Sequence, residues 1–137
     1  MKVSFGELRI GQQASDNLQR VIKNNWASAG PLVEEFEQKW SQKFGYKYSI
    51  ATSSGTDAGT MMCALLYDYG GQRGDEIICP SCCFVSVANS ILAAGFIPKF
   101  VDISRDTLNI DPDKIEAAIT PKARAIKVVH NMGKPCD

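Results

Sequence analysis

Several features that would assign a function at once are scarce or absent in this sequence. There is no excess charge of either sign, because 15 Lys and Arg residues balance 15 Asp and Glu residues. A nucleic-acid surface is therefore not expected, since it needs surplus basic side chains to neutralise phosphates. No apolar run approaches the roughly 20 residues of a membrane helix. The opening MKVSFGELRIGQQ lacks the apolar core of a signal peptide. We expect no nucleic-acid partner, no membrane segment and a cytoplasmic location.

Metal-binding and disulfide patterns are equally weak. His130 is the only histidine, and no second CxxC accompanies Cys79–Cys82, so no metal site is predicted. The five cysteines are an odd number without a secretion signal, which argues against a disulfide framework. A thiol-redox pair of Cys79 and Cys82 is an alternative. However, Cys79 ends an apolar strand, where a buried structural thiol is the commoner case.

Helical and strand patterns alternate along the 137 residues, of which 45% are apolar. The helices are predicted over Ala14–Asn24, Pro31–Phe44, Phe84–Ala94 and Asp113–Ile119. The strands are predicted over Tyr48–Ala51, Ile77–Cys79, Ile97–Val101 and Ala125–Val129. Short apolar strands that alternate with helices are typical of a mostly parallel sheet covered on both faces. The sequence therefore predicts an α/β protein with three layers, α/β/α.

One predicted helix has a pronounced apolar stripe. Leu32, Phe36, Trp40 and Phe44 recur at four-residue spacing, as on the buried face of an amphipathic helix. Gly45 follows as a typical helix end. We expect these aromatic side chains to belong to the core.

The clearest functional pattern runs from Ser49 to Leu66, where a strand, a turn of small residues and a helix follow one another. Unpaired N–H groups and the macrodipole make a helix start a binding site for anions. Gly55 allows close approach of a ligand to the backbone, and the hydroxyls of Ser54 and Thr56 can cap the helix or donate to a phosphate. A capped helix without a ligand is the alternative.

Ligands in parallel α/β sheets lie at the C-terminal ends of the strands. Four segments are expected at those ends: Ser53–Thr56, Pro80–Phe84, Asp102–Ser104 and His130–Gly133.

Five blocks of the chain, in order, carry a family resemblance. They read GPLVEEFEQKW, SSGTDAGTMMCALL, GDEIICPSCCFVSVANSI, GFIPKFVDISRDTLNIDPDKIEAAITPKARAI and VVHNMGKPCD. Their sequence and spacing resemble the N-terminal part of the DegT/DnrJ/EryC1/StrS sugar aminotransferases, which use pyridoxal phosphate (PLP). The resemblance implies the N-terminal portion of the large domain of the aspartate-aminotransferase (type I PLP) fold. It implies an N-terminal arm and helix over residues 1–30 and a partial PLP-binding large domain over 31–137.

The resemblance also implies site residues. Gly55, Thr56 and the backbone N–H of Asp57 resemble the cradle of the cofactor phosphate. Phe84 resembles the aromatic residue that stacks on the pyridine ring. Further candidates for the pocket are Ser54, Asn89, His130 and Asn131.

Some positions depart from the family pattern. Gly59 stands where the family usually has an apolar residue, and glycine weakens a helix by up to about 1 kcal/mol. Cys83 and Val87 stand where threonine is usual, and Asn131-Met132 replaces a more apolar pair.

In the family, glutamate typically donates an amino group to a keto sugar attached to a nucleotide, for surface polysaccharides or antibiotic sugars. The resemblance also implies a homodimer or higher homo-oligomer. The Schiff-base lysine and the acidic partner of the pyridine nitrogen correspond to positions beyond Asp137, and Lys99, Lys127 and Lys134 do not match that lysine. No catalytic residue is therefore assigned.

If 137 residues are the entire chain, we expect no transamination and an oligomeric or aggregation-prone protein. The alternatives are a non-catalytic binding or structural half-fold and a PLP-dependent sugar dehydratase relative.

Overall fold

The computed structural model describes residues 6–137, so the first five residues of the predicted arm lie outside the described residues. The chain divides into two compact units, one ending at Ala51 and the other spanning Thr52–Asp137. The helices and strands, in chain order, are α1 (Gln12–Lys23), α2 (Pro31–Phe44), α3 (Gly55–Ala64), β1 (Glu76–Pro80), α4 (Ser86–Ala93), β2 (Ile97–Val101), α5 (Pro112–Ala118) and β3 (Ala123–Ile126). Short 3-10 helices follow at Leu65–Tyr69 and Asn131–Gly133.

The first unit contains α1 and α2. Pro31 occupies the first turn of α2, where its missing N–H costs nothing. Gly45 ends the helix with φ 72°, a left-handed conformation that glycine adopts without strain. Both limits of α2 were predicted correctly.

The expectation that the stripe on α2 is core was wrong. Phe36, Trp40 and Phe44 contact one another through neighbouring rings, yet 53%, 45% and 48% of their surfaces stay exposed. The helical spacing correctly places these rings on one face of α2.

The second unit is built on a parallel sheet in the order β2–β1–β3. Residues of β1 alternate between its faces, as a strand requires. Ile77 and Cys79 pack with Ile91 and Phe96 on the side of α3 and α4.

On the opposite face, Ile78 packs with Val101 and Ile110, and Ile115 of α5 covers them. The sheet therefore lies between two helical layers. This confirms the predicted α/β/α arrangement.

The predicted strand Tyr48–Ala51 is wrong. The segment forms no strand, and Tyr48 and Ile50 are 78% and 73% exposed. An apolar segment becomes a strand only when a neighbour supplies its hydrogen bonds, and no strand in the described part of the chain pairs with this one.

Other boundaries also differ from the prediction. Helix α1 covers Gln12–Lys23 rather than Ala14–Asn24, and α5 covers Pro112–Ala118 rather than Asp113–Ile119. β3 covers Ala123–Ile126 rather than Ala125–Val129, since pairing with β1 ends at Ile126. Helix α4 begins at Ser86 rather than Phe84. Strand β1 covers Glu76–Pro80 rather than Ile77–Cys79, so Pro80 is its last residue rather than the residue that stops it.

An ion pair fixes the edge of the sheet where the strands begin. Asp75, which is 7% exposed, accepts a 2.6 Å bond from Arg124 Nε and a 2.9 Å bond from the Gln72 N–H. The Arg124 guanidinium and the Gln72 N–H lower the pKa of Asp75 below its ordinary value. The pair thus joins the turn before β1 to β3.

Candidate functional site

The start of α3 has a fully formed N-cap. Ser54 is extended, and its Oγ accepts a 3.1 Å bond from the Asp57 N–H while its carbonyl accepts from Ala58. The N–H groups of Gly55 and Thr56 therefore point out of the helix without an intrahelical acceptor. No heavy atom beyond its chain neighbours and its own helix lies within 4 Å of the place where a Cβ on Gly55 would stand. The backbone is open to a ligand here.

The side chain of Asp57 completes this turn. Its carboxylate accepts hydrogen bonds from the hydroxyls of Ser53 and Ser54, and those bonds lower the pKa of Asp57. The Asp57 N–H, predicted as part of the phosphate cradle, is already bonded to Ser54. The two hydroxyls and the free N–H groups are the donor types that hold a phosphate, so the donor set fits PLP if the hydroxyls turn away from Asp57.

Phe84 and Asn89 lie on the connection from β1 into α4. Phe84 precedes the helix and is 76% exposed, so its ring offers an open face for stacking. Asn89 lies within α4 and is exposed. A turn residue before a helix suits a contact role better than the helix position that was predicted for Phe84.

His130 and Asn131 follow β3, and both are held by hydrogen bonds to other residues. The Cys136 N–H donates a 3.0 Å bond to His130 Nδ1, so the neutral ring carries its hydrogen on Nε2. The Asn131 N–H donates to Asn109 Oδ1 at 2.9 Å. Pocket roles for these two residues remain predictions.

The cysteines do not form a reactive pair. Cys79 is 0% exposed, and burial raises the pKa of its thiol to about 11. Burial also raises the pKa of Cys83, whereas Cys82 is exposed. Thiolate chemistry needs an accessible thiol of low pKa, so the geometry disfavours the redox alternative. Among residues 6–137, no three His, Cys, Asp or Glu side chains form a group suited to a metal ion.

Sequence reasoning missed a cluster between α3, α4 and the end of β3. Lys127 Nζ lies 2.5 Å from Ser90 Oγ and 3.9 Å from Cys63 Sγ. Gly59 is buried beside it, and a Cβ there would lie 2.7 Å from Lys127 Nζ. The unusual glycine therefore leaves room for a lysine side chain. The departure at Gly59 was the only signal of this cluster in the sequence.

The parallel sheet between two helical layers defines an α/β protein. A turn of small residues precedes α3, and proteins of this class bind phosphate groups at helix starts. A model of the DegT/DnrJ/EryC1/StrS aminotransferase family matches residues 8–137, and the chain belongs to this family. The predicted family resemblance is thereby confirmed.

Individual relatives agree with this assignment. The spore coat polysaccharide biosynthesis protein SpsC of Bacillus subtilis is 38% identical over 128 residues, which cover 93% of this chain and 32% of SpsC. The structure of NtdA from Bacillus subtilis, with bound cofactor PMP, is 43% identical with a TM-score of 0.80, covering 90% of this chain and 28% of NtdA. The E. coli GDP-4-keto-6-deoxy-D-mannose-3-dehydratase, with bound hydrated PLP, is 29% identical with a TM-score of 0.77, covering 92% of this chain and 32% of the dehydratase.

The chain thus spans about a third of the length of the relatives it matches. Both structures contain PLP or its amino form, PMP, so PLP-type cofactors belong to the family. No helix within residues 6–137 combines the length and apolar character that crossing a bilayer requires.

Proposed function

We propose that the protein to which this chain belongs transfers an amino group, with PLP as cofactor and glutamate as donor, to a keto sugar carried by a nucleotide. The match to the aminotransferase family over residues 8–137 carries this proposal. Residues 31–137 then contribute part of the PLP-binding large domain, after an N-terminal arm over 1–30. The product enters a polysaccharide or an antibiotic sugar, and the protein works as a homodimer or higher homo-oligomer.

The start of α3 holds the cofactor phosphate in this proposal. The N–H groups of Gly55 and Thr56 and the hydroxyls of Ser54 and Thr56 donate to its oxygens. The Ser53 and Ser54 hydroxyls leave the Asp57 carboxylate, because two anions cannot share them. Phosphate binding therefore replaces the hydrogen bonds from these hydroxyls to the Asp57 carboxylate with hydrogen bonds to the phosphate oxygens.

Phe84 holds the plane of the pyridine ring, since its open aromatic face is available for stacking. When bound, PLP supplies an electron sink and carries the amino group between the two substrates. This chain contributes binding and orientation.

Cofactor binding tests these roles directly. PLP is titrated into the protein and binding is followed by the change in its absorbance. We expect Thr56→Val to weaken binding roughly tenfold, because one hydrogen bond to a charged group is lost. Phe84→Ala weakens binding as well. Thr60→Val is the matched control: it lies one turn along α3, and its hydroxyl donates only to the Thr56 carbonyl. Equal affinities for all four proteins would refute the assignment.

The similarity to a sugar dehydratase favours a second candidate reaction. The two are separated by their products from the keto sugar and glutamate. An aminotransferase forms one amino sugar for each 2-oxoglutarate released, whereas a dehydratase forms a deoxy sugar without a new carbon–nitrogen bond. A non-catalytic half-fold forms neither product and retains no PLP after borohydride treatment and dialysis.

A further inference from the structure

A buried asparagine lies between β2 and α5. Asn109 is 3% exposed, and every polar atom of its side chain is bonded to the segment after β3. Its Nδ2 donates to the carbonyls of Lys134 and Pro135, at 3.0 Å each. Its Oδ1 accepts the Asn131 N–H at 2.9 Å. One amide thus fixes the course of residues 131–135.

The side chain of Asn131 adds hydrogen bonds to two further loops. Its Nδ2 donates back to the Leu108 carbonyl and, at 3.4 Å, to the Cys82 carbonyl. The side chains of Asn109 and Asn131 together form what we call the asparagine clasp. The clasp joins three loops that follow the three strands: 81–84, 102–110 and 130–136.

The backbone beside each asparagine supports this description. Leu108 and Met132 have φ values of 59° and 52°. Non-glycine residues adopt this left-handed conformation at a cost in free energy. It persists only where surrounding bonds determine the backbone, and the clasp supplies such bonds on both sides.

We infer that Asn109 is a positioning residue for the proposed cofactor site. It acts through Asn131 on loop 81–84, which carries Phe84, and directly on the segment that begins with His130. Asn109 itself touches no cofactor. This role rests on the proposed function, because it matters only if Phe84 contacts a bound ring.

The cysteines of the chain provide the test. Cys83 reports on loop 81–84 and Cys136 on segment 130–136, since both thiols are partly buried. Cys79 is fully buried in the sheet and reports unfolding. Labelling of each thiol by a maleimide is followed by peptide mass spectrometry in the absence of PLP.

Asn109→Leu keeps the approximate size of the side chain but removes the acceptor for the Asn131 N–H and both donated hydrogen bonds. We expect Cys83 and Cys136 to label roughly tenfold faster while Cys79 stays protected, as local opening predicts. Thr107→Ala is the control. It removes the hydroxyl that accepts the Asn109 N–H at 3.2 Å and should leave both rates unchanged.

Faster labelling of Cys136 alone would overturn the inference. Asn109 would then act only on segment 130–136, which it contacts directly, and not on loop 81–84. If Cys79 also labels, the variant has unfolded and Asn131→Ala decides instead. That variant keeps its backbone bond to Asn109 but loses the side-chain bonds to Leu108 and Cys82, so labelling of Cys83 must accelerate. An unchanged rate at Cys83 in this variant also overturns the inference.

A PLP titration completes the test. Asn109→Leu should weaken PLP binding roughly tenfold relative to Thr107→Ala. Faster labelling with unchanged PLP affinity would make the clasp purely structural and refute the positioning role. If the unaltered protein binds no PLP, the proposed function fails, while the labelling still decides whether the clasp exists.

Discussion

Replacement of Gly59 by alanine has two opposing effects on the free energy of unfolding. In a helix interior, alanine is favoured over glycine by about 1 kcal/mol. The new Cβ, however, would lie 2.7 Å from Lys127 Nζ and 3.1 Å from Ser90 Oγ. The 2.7 Å distance is shorter than a Cβ contact allows and the 3.1 Å distance is tight, so the Lys127 side chain must move and Ser90 must shift slightly.

Lys127 is the group that yields, because its ammonium is the end of a flexible chain. Its movement ends the 2.5 Å bond to Ser90, whose side chain is buried. A hydrogen bond to a charged group contributes about 1.5–3 kcal/mol. The loss exceeds the gain in helix propensity, so Gly59→Ala should lower the free energy of unfolding by about 0.5–2 kcal/mol. That corresponds to a fall in Tm of several degrees.

Thermal unfolding followed by circular dichroism measures this effect, and Lys127→Met provides the matched background. Methionine keeps a long unbranched side chain but has no ammonium to displace. In that background, Gly59→Ala should become neutral or stabilising, by up to about 1 kcal/mol. A higher Tm for Gly59→Ala in the unaltered background would refute the close approach of Lys127.

Asp75→Asn should lower the Tm at pH 7, because it leaves Arg124 without its carboxylate. Since the folded-state pKa of Asp75 is lowered, the difference from the unaltered protein is complete at neutral pH. It should shrink as the pH falls below about 4; a difference independent of pH would contradict the ion pair. Maleimide should label Cys82 rapidly at pH 8 but Cys79 only after unfolding, and rapid labelling of both would revive the redox alternative. Sedimentation of the 137-residue chain by itself should show oligomers or aggregates, since β3 has an unpaired edge and Ile126 is 47% exposed; a monodisperse monomer would contradict this.

The sequence predicted those features that depend on neighbouring residues. Pro31 and Gly45 mark the ends of α2, and the apolar run of β2 was found with both limits correct. Ser54 was one of two hydroxyls expected to cap α3 or bind a phosphate, and its role as the cap depends only on contacts within one turn of α3.

Features that depend on distant residues were missed. Tyr48–Ala51 has strand composition, but pairing depends on a partner elsewhere in the chain. Asn109 and Lys127 look like ordinary loop and strand residues. Their contacts lie 22 to 64 positions away, and no local pattern reveals them.

The strand order β2–β1–β3 also has a consequence for synthesis on the ribosome. The central strand β1 emerges first, and β2 can cover one of its edges through the crossover helix α4. Its other edge must wait until β3 has been translated, roughly two dozen residues later, which takes on the order of one to five seconds at about 5–20 residues per second. During that interval, Ile77, Ile78 and Cys79 present an open strand edge to other nascent chains. The topology thus leaves the central strand paired on one edge only for a brief stage of synthesis.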